Sequence, residues 1–297
     1  MGRNEHLYNR LAEAASRLEK FSDIFACTNS TYSGSESGNE AILVLCDWHY
    51  GMTASNIWNR YDTDVCIKRL EHVTKLAVDR LMLHHCDRLH VLVLGDLLHG
   101  GIHTSARVAA NELVCDQLMH ASELLAQCIA KLSRYVRETI VYTTYGNHAR
   151  TIQNKADNVH RDNMERIITW WLRERFKDVE NILIAPESET EVIYLDVCGH
   201  GICAAHGDLD GVRTSPRLFN TIFTKKYGKS LDCVILGDKH HMEGFEELGI
   251  TSMISDALCG SDDYANGKRL YSTPGQMMLI VNEEQGIDAT YHLKATT

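Results

Sequence analysis

Five apolar runs in this chain are each followed at once by a small group of glycine, aspartate, asparagine and histidine residues. These groups are Asp47-Trp48-His49, Gly95-Asp96-Leu97-Leu98-His99, Gly146-Asn147-His148, His206-Gly207-Asp208 and Gly237-Asp238-Lys239-His240-His241. A continuous apolar run is typical of a strand that is buried on both faces. In open α/β sheets, ligand sites form at the carboxyl ends of strands, where the loops converge. The pattern therefore predicts one site that is built from five strand ends.

The order of the remaining elements favours a layered α/β protein. Helical periodicity over residues 62–86, 104–136 (one long helix or a broken one) and 158–177 alternates with the apolar runs 41–46, 89–94 and 139–144. After residue 180 the elements shorten, and they are predicted to be strands over 182–185, 191–197, 201–205, 231–236, 249–254, 277–281 and 288–293. No stretch approaches the ~20 apolar residues that a membrane span needs.

The first 40 residues differ from the rest. Apolar residues at helical spacing over 4–21 predict an amphipathic helix, and the Ser/Gly-rich tract over 30–39 predicts a flexible linker. We therefore expect an N-terminal appendage over 1–40 and a single domain over 41–297. The helix could pack on that domain or pair with a second copy to give a homodimer.

The residue types at the strand ends are those of a two-metal site. Two divalent ions ~3.5–4 Å apart need a bridging carboxylate and several nitrogen and oxygen ligands from separate loops. The glycines before Asp96, Asn147 and Asp238 allow tight turns that bring the backbone close to the ions. Aspartate, histidine and asparagine suit Mn, Fe or Zn rather than a thiolate site.

The order of these groups resembles the calcineurin-like metallophosphoesterase superfamily, whose motifs run D-x-H, G-D, G-N-H, H and G-H-x-H. The resemblance spans residues 41 to about 241. It implies a four-layer α/β/β/α sandwich, in which two mixed sheets are flanked by helices. It also implies a dinuclear metal-dependent phosphoesterase.

The resemblance assigns each ligand by its motif. It implies that Asp47, His49 and His240 bind the first metal, that Asp96 bridges the two, and that Asn147 and His206 bind the second. The chain departs from the family at Asp238, which stands where the first histidine of G-H-x-H is expected. An aspartate oxygen can replace that histidine on the second metal, or Asp238 could instead only orient a water. We expect two divalent ions, with Mn²⁺ first and Fe, Zn or Mg²⁺ as alternatives.

The resemblance also implies the mechanism. A water held between the two metals attacks phosphorus, and His148 protonates the leaving oxygen. Arg150, two residues further on, could grip a phosphate, or it could be an ordinary solvated arginine of the loop.

His99 bears on the substrate. The segment from Gly95 to His99 resembles the G-D-L-F-H of SbcD-type nuclease subunits, where this histidine helps to position the DNA phosphodiester. That favours a nuclease of the DNA exonuclease type. The segment 146–158 and the loop from Gly260 to Gln276 resemble small phage and prophage metallophosphoesterases, and the loop either forms part of a substrate wall or is an ordinary surface loop.

Charge limits how a nucleic acid could be held. The chain has 30 Lys and Arg residues against 40 Asp and Glu residues, a net charge of −10. This excludes a protein that grips nucleic acid over a broadly basic surface. A phosphatase or small-nucleotide phosphodiesterase therefore stays open, as does a non-catalytic scaffold subunit.

The cellular setting is predicted from the cysteines and the N-terminus. The ten cysteines are scattered without a C-x-x-C pair, and the first residues do not resemble a signal peptide. We expect a cytoplasmic protein, in the host cytoplasm if it is phage-encoded, with a nucleic acid or nucleotide as its substrate. Nuclease relatives often work with an ATPase or another DNA-processing partner, so such a partner is expected too.

Overall fold

The computed structural model describes residues 31–32, 34, 37–102 and 104–296. Its strands are β1 (Glu40–Leu45), β2 (Ala54–Ser55), β3 (Arg60–Tyr61), β4 (Arg88–Val93), β5 (Glu138–Thr143), β6 (Ile182–Ile184), β7 (Ile193–Val197), β8 (His200–Ala205), β9 (Cys233–Leu236), β10 (Glu243–Glu247), β11 (Ile250–Ile254), β12 (Gly275–Asn282) and β13 (Gly286–Lys294). Its α-helices are α1 (Thr63–Leu83), α2 (Thr104–Val108), α3 (Val114–Leu132), α4 (Arg166–Phe176), α5 (Ser215–Tyr227) and α6 (Asp263–Lys268).

Two mixed sheets form the centre of the molecule. The first has the strand order β13-β12-β1-β4-β5-β6, in which β1, β4, β5 and β6 run parallel and β12 and β13 run antiparallel to their neighbours. The second has the order β10-β11-β9-β8-β7, with a parallel centre and an antiparallel strand at each edge.

The burial pattern of β1 shows why the layers stack as they do. Ala41, Leu43 and Leu45 face a core that is shared with helices α1, α3 and α4, whereas Ile42 and Val44 face the second sheet. On the far side of the second sheet, Phe219 and Phe223 of α5 pack against β8 and β9. The predicted four-layer α/β/β/α sandwich with two mixed sheets is therefore confirmed.

Two of the predicted helices are shorter than expected, and each has a local cause. The helix expected over 104–136 is interrupted because residues 109–111 pair with the loop after β1: Thr53 N–H donates to Ala109 O at 2.8 Å and Asn111 N–H donates to Gly51 O at 3.0 Å. The helix expected over 158–177 begins only at Arg166, since Met164 N–H donates to Ala149 O at 2.9 Å. In both places a loop near the predicted site replaces a helical turn.

Helix α5 and strand β10 were not predicted. The end signals of α5 were present in the sequence, with Pro216 in the first turn and the left-handed Gly228 at its carboxyl end. Strand β10 is an edge strand with alternating exposure and three glutamates, so it lacks the apolar run that marked the other strands.

The N-terminal prediction lies largely outside the described residues, since the helix expected over 4–21 is not among them. Of the predicted linker, Thr31 Oγ1 donates to Arg134 O at 2.9 Å and Ser37 Oγ donates to His85 O at 2.6 Å. These residues contact the main domain, and the boundary at residue 40 stays a prediction. In the described part of the chain, no helix has the length and hydropathy to cross a membrane.

Candidate metal centre

The structure brings the five strand ends together at one edge of the sandwich. Strands β1, β4 and β5 are parallel neighbours, so the loops that follow them leave the same edge of the first sheet. Strands β8 and β9 are parallel neighbours in the second sheet. Backbone hydrogen bonds join the loops: Asp47 N–H donates to Gly95 O at 3.0 Å, and Gly237 N–H donates to His206 O at 2.8 Å.

Two glycines let the loops after β4 and β5 touch. A Cβ on Gly95, whose φ is +87°, would lie 2.1 Å from the backbone nitrogen of Gly146. A Cβ on Gly146 would lie 2.0 Å from Oδ1 of Asp96. Neither distance is compatible with a side chain, so both positions require glycine if Asp96 is to reach the centre.

A first cluster contains Asp47, His49 and Asp96, whose potential ligand atoms all lie within 4.8 Å of one another. His49 Nε2 lies 4.0 Å from Asp47 Oδ1 and 3.9 Å from Asp96 Oδ2. His240 joins the cluster, because its Nε2 lies 3.2 Å from His49 Nε2 and 3.4 Å from Asp47 Oδ1. These four side chains are the ones predicted for the first metal and the bridge.

A second cluster contains Asp96, His206 and Asp238, again within 4.8 Å of one another. His206 Nε2 lies 3.4 Å from Asp96 Oδ2 and 3.6 Å from Asp238 Oδ1. The Asn147 amide is next to them, with Nδ2 at 3.3 Å from Asp238 Oδ1. Because Asp96 belongs to both clusters, it occupies the position of a bridging carboxylate.

The chemistry of these donors fits divalent cations. Asp47, Asp96 and His206 are almost completely buried, and neither Asp47 Oδ1 nor His206 Nε2 has a hydrogen-bond partner among the described residues. Buried carboxylates without a compensating cation cost several kcal/mol, so the arrangement calls for positive charge. Lys239 supplies one cation, because its Nζ lies 2.7 Å from Asp238 Oδ2. Carboxylate oxygens and imidazole nitrogens suit Mn, Fe or Zn.

The charged side chains of the centre shift one another's pKa values. Burial alone would raise the pKa of Asp96, but His148 and His206 hold it well below its usual range. Burial would lower the pKa of His206, yet Asp96 raises it well above the usual value. By contrast, burial and the charge of His148 lower the pKa of His49 well below its usual value. Since a histidine must be neutral to bind a metal, His49 is ready to do so at neutral pH, whereas protons compete for His206.

The backbone of the proposed ligands is strained. The residues with positive φ include Asp47 (52°), His49 (45°), Asp96 (50°), Asp238 (62°) and His240 (59°). For residues other than glycine, this left-handed conformation costs roughly 1–3 kcal/mol each and concentrates at functional sites. The positive φ angles break the usual alternation of side chains between the two faces of a strand. Successive side chains can therefore lie on the same side, at the centre.

His148 and His99 lie beside the first cluster. The ring of His148 is 4.5 Å from that of His49 and 5.9 Å from that of His99, measured between centroids. His148 Nδ1 lies 3.0 Å from the backbone oxygen of His99. His99 is buried, and burial lowers its pKa to about 4. Both histidines lie at the edge of the centre, and their catalytic roles stay predictions.

Arg150 contacts the backbone of its own loop, and its predicted contact with a phosphate stays a prediction. Its guanidinium donates to the backbone oxygens of Asn147 at 2.6 Å, Ile152 at 3.0 Å and Gln153 at 2.8 Å. The side chain is almost completely buried. These hydrogen bonds hold the loop after β5, so Arg150 stabilises that loop, and it also lines the cleft beside the centre.

Two residues at the centre escaped the sequence analysis. Cys259 follows β11, and its Sγ lies within 4.8 Å of ring nitrogens of His49 and His240. Glu165 lies behind the centre, where burial and the charge of Asp96 raise its pKa to about 7. Neither residue belongs to a motif. The apolar run before Cys259 was the available signal for the cysteine, and Glu165 had none.

No family model matches the chain. The SPbeta prophage-derived uncharacterized protein YonJ of Bacillus subtilis (strain 168) is 24% identical over 294 residues, covering 96% of this chain and 71% of that protein. A structure described as a novel archaeal phosphodiesterase has a TM-score of 0.40 at 13% identity, covering 85% of this chain and 99% of its own. Zinc-bound Vps29 from Entamoeba histolytica has a TM-score of 0.36 at 15% identity, with coverages of 86% and 99%.

The fold and the placement of the motif residues are those that the resemblance to calcineurin-like metallophosphoesterases implies. The two mixed sheets, the convergence of five strand ends and the two clusters that share Asp96 all come from this chain's own geometry.

Proposed function

We propose that this chain is a dinuclear metal-dependent phosphodiesterase that acts on nucleic acid. One observation carries the proposal: two clusters of metal-binding side chains share Asp96, and His148 lies against one of them. A bridged pair of sites beside a free imidazole suits hydrolysis of a phosphate ester, because that reaction needs charge neutralisation and a proton donor together.

The residues that would hold the ions follow from the two clusters. Asp47, His49 and His240 would hold the first ion and His206, Asp238 and Asn147 the second, with Asp96 shared. Divalent ions bound there supply positive charge for the phosphoryl oxygens and lower the pKa of a nearby water. The manganese preference rests on the oxygen-rich second cluster, which contains two carboxylates.

His148 is placed to move a proton at one defined atom. Its Nδ1 faces the backbone oxygen of His99, which can only accept, so Nδ1 carries a hydrogen. The proton that is given to the leaving oxygen must therefore come from Nε2. The contact also fixes the ring plane, so that Nε2 keeps one direction through the reaction.

His99 favours a diester over a monoester. Its ring is buried at the edge of the centre, and burial lowers its pKa to about 4, so the imidazole is neutral. A buried, neutral imidazole is suited to hydrogen-bond one more uncharged or singly charged oxygen. The second esterified group of a phosphodiester offers such an oxygen, whereas a monoester brings more negative charge.

A small-nucleotide phosphodiesterase is the second candidate. A cleft with an empty volume of ≈ 450 Å³, part of it open to solvent, is lined by Tyr145, Asn147, Lys155 and His160 among others. Lys155 and His160 each lie 3.4 Å from a carboxylate of the same cleft, Asp208 and Glu191 respectively, and the phosphate of a nucleotide would replace these partners. The net charge of −10 also favours a short substrate over long duplex DNA.

The test compares four substrates with Mn²⁺ present: single-stranded DNA, duplex DNA, bis(nitrophenyl) phosphate and nitrophenyl phosphate. We expect hydrolysis of single-stranded DNA and of the bis-ester, and loss of both in Asp96→Asn together with the bound ions. Asp79→Asn, an exposed aspartate on α1, is the matched control and should behave as the unaltered chain.

If the chain hydrolyses nitrophenyl phosphate faster than the bis-ester, the proposed phosphodiesterase activity is wrong and the chain is a phosphatase. Two bound ions without hydrolysis of any ester would favour the non-catalytic scaffold instead. A count of ions near zero after incubation with Mn²⁺ would contradict every metal-dependent hypothesis.

A further inference from the structure

Two exposed aromatic side chains lie in contact beside the metal centre. Trp58 is in the turn between β2 and β3, and Tyr271 follows α6. Their ring centroids are 4.9 Å apart at an interplanar angle of 44°. Each side chain is 55% exposed, and the adjacent Ile57 and Leu270 are more exposed still. We call these four residues the aromatic platform.

The turn that carries Trp58 is held rigidly. Asn56 Oδ1 accepts hydrogen bonds from the backbone N–H groups of Trp58 at 3.0 Å and Asn59 at 2.9 Å. The Asn56 N–H in turn donates to Asn59 O at 3.0 Å. This closed turn fixes the direction in which the indole leaves the backbone.

The same asparagines tie the turn to the loop after β11. Asn56 Nδ2 donates to Ser261 O at 3.2 Å, and Asn59 Nδ2 donates to Cys259 O at 2.8 Å. Arg69 completes the join, because it donates to Asn59 Oδ1 at 2.7 Å and to Cys259 O at 2.8 Å. A buried arginine and two asparagines therefore hold two exposed aromatic residues in place.

This network also connects the aromatic platform to the metal centre. Cys259 N–H donates to Asp47 O at 3.2 Å, and the Cys259 thiol lies near His49 and His240. The residue next to Trp58 thus hydrogen-bonds to a residue that borders the first cluster. The turn that carries Trp58 is therefore connected to the first cluster through two hydrogen bonds, by way of Cys259.

Positive charge accompanies the aromatic rings. Arg60 follows the Trp58 turn, and Lys268 and Arg269 precede Tyr271, all of them exposed. Asp62, Asp262 and Asp263 lie in the same segments, with Asp263 Oδ1 3.5 Å from Asn56 Nδ2, so the cations make these segments mixed in charge rather than acidic, on a chain with a net charge of −10. Sites for single-stranded nucleic acid combine these features, since bases stack on the rings and cations attract the phosphates.

We propose that the aromatic platform stacks a nucleobase of a single-stranded nucleic acid whose phosphodiester lies at the metal centre. The inference rests on the proposed function and specifies its substrate as a strand with an unpaired base near the cleaved bond. Because every base has a π-face, the platform selects single strands without selecting a sequence.

The experiment uses the full chain with an oligothymidylate of about eight nucleotides, within the usual length range of single-strand sites. Affinity is measured by fluorescence anisotropy with Mn²⁺ present on an oligonucleotide whose phosphorothioate linkages resist hydrolysis, and kcat and KM are then measured with Mn²⁺ on the normal oligonucleotide. The variants are Trp58→Ala, Tyr271→Ala and the conservative Trp58→Phe. Trp170→Ala is the matched control, since Trp170 is equally exposed on helix α4.

We expect Trp58→Ala and Tyr271→Ala to weaken oligonucleotide binding about ten-fold, the loss that one stacked base predicts. KM for the oligonucleotide should rise by a similar factor with little change in kcat, and Trp58→Phe should restore most of the affinity. Hydrolysis of bis(nitrophenyl) phosphate, which has no base, should stay within two-fold. The control variant should match the unaltered chain throughout.

An oligonucleotide with abasic positions separates base stacking from other roles. The unaltered chain should bind it about as weakly as Trp58→Ala binds the normal oligonucleotide, and Trp58→Ala should bind both alike. Equal binding of both oligonucleotides by the unaltered chain overturns the inference. A shift of Trp58→Ala from dimer to monomer in sedimentation also overturns it, because a second copy would then be the occupant.

The two proposals fail in different ways. If the bis-ester is hydrolysed but Trp58→Ala and Tyr271→Ala leave oligonucleotide binding unchanged, the proposal that the platform stacks a base is wrong. The proposed phosphodiesterase activity is then unaffected. If no ester is hydrolysed, the phosphodiesterase is wrong, whatever the anisotropy shows.

Discussion

At the scale of single residues, His148 has the most specific role in the proposed reaction, because one of its two ring nitrogens must be the proton donor. The contact between its Nδ1 and the His99 backbone oxygen leaves Nε2 as the proton donor. A donor matters when the leaving group is a poor one, such as a deoxyribose alkoxide, and matters little for nitrophenolate. The dependence on the leaving group therefore reports the role of this histidine.

His148→Ala should lower kcat on DNA by about 10²–10⁴-fold, the usual contribution of a general acid. Its effect on bis(nitrophenyl) phosphate should be at least ten-fold smaller. Both rates are measured at saturating Mn²⁺, and the number of bound ions should be unchanged. Equal losses on both substrates would show that His148 acts on the metals or on folding instead.

Cys259 is a second residue whose position predicts a chemical role, that of a metal ligand. Its thiol lies within reach of the same ring nitrogens that define the first cluster, and burial raises its pKa although His240 lowers it. A bound divalent ion displaces a proton from a nearby thiol and binds the thiolate. A sulfur ligand would shift the first site towards Zn or Fe and away from Mn.

Substitution of Co²⁺ for the native ions tests this. The unaltered chain should show a near-ultraviolet band from charge transfer between thiolate and cobalt, and Cys259→Ser should lose it. Cys128→Ser, a buried cysteine on helix α3, should keep the band. A spectrum without that band in the unaltered chain would place the thiol outside the ligand set.

Residues of the centre could be predicted from the sequence when they belong to a motif that follows a strand. Asp47, Asp96 and His206 follow apolar runs directly, so the strand ends alone brought them together. Arg150 could not be assigned in this way, because its partners are backbone oxygens that only the folded loop places. Glu165 and Cys259 lie outside the five motifs, and no spacing in the chain connects either residue with the centre.

At the scale of elements, Glu165 joins three of them. It lies at the start of α4, and its carboxylate accepts hydrogen bonds from the N–H groups of Asp96, Leu97 and Leu98 after β4 and of Gly146 after β5. Two buried oxygens thus hold both loops that carry the bridging aspartate and the G-N-H motif. Through this carboxylate, the start of helix α4 is connected to both loops of the centre.

Glu165→Gln should destabilise the metal-free chain by about 3 kcal/mol, because the amide NH₂ would face backbone donors and leave them unpaired. Urea unfolding in EDTA measures this without the contribution of the ions. The affinity for Mn²⁺ should also fall, since Asp96 loses its support. Glu174→Gln, at an exposed position of the same helix, is the control, and equal stability of both variants would contradict the role.

The limits of prediction at this scale have a common physical cause. Apolar runs located the strands that are buried on both faces, whereas the edge strand β10 depends on hydrogen bonds to β11 and carries no such run. The helices expected over 104–136 and 158–177 lost turns to loop pairing near the site. Tertiary contacts there outweigh the helical periodicity.

At the scale of the whole molecule, Asp256 and His292 connect the two sheets. Asp256 follows β11 of the second sheet, His292 lies in β13 of the first, and Oδ2 of one is 2.7 Å from Nε2 of the other. Burial raises the pKa of Asp256 to about 7 and lowers that of His292. Both directions favour a protonated carboxyl next to a neutral imidazole.

The raised pKa of Asp256 makes the stability of the fold depend on pH in one direction. A carboxyl whose pKa is higher in the folded state contributes stability below its unfolded value, near 4, and that contribution is lost as pH rises through 7. Asp256→Asn cannot lose a proton, so it should be more stable than the unaltered chain at pH 8 by about 1 kcal/mol or more, and similar to it at pH 5. Thermal unfolding at the two pH values measures this, and an equal difference at both would contradict it.

The left-handed backbone at Asp47, His49, Asp96, Asp238 and His240 has a consequence for the history of such genes. Under the proposed function, selection for catalysis keeps these costly conformations in place. In a lineage that no longer needs the reaction, glycine at the same positions relieves the strain and spares stability. Descendants that have lost the activity should therefore carry glycines where the ligands stood, so that the substitution record still marks the former centre.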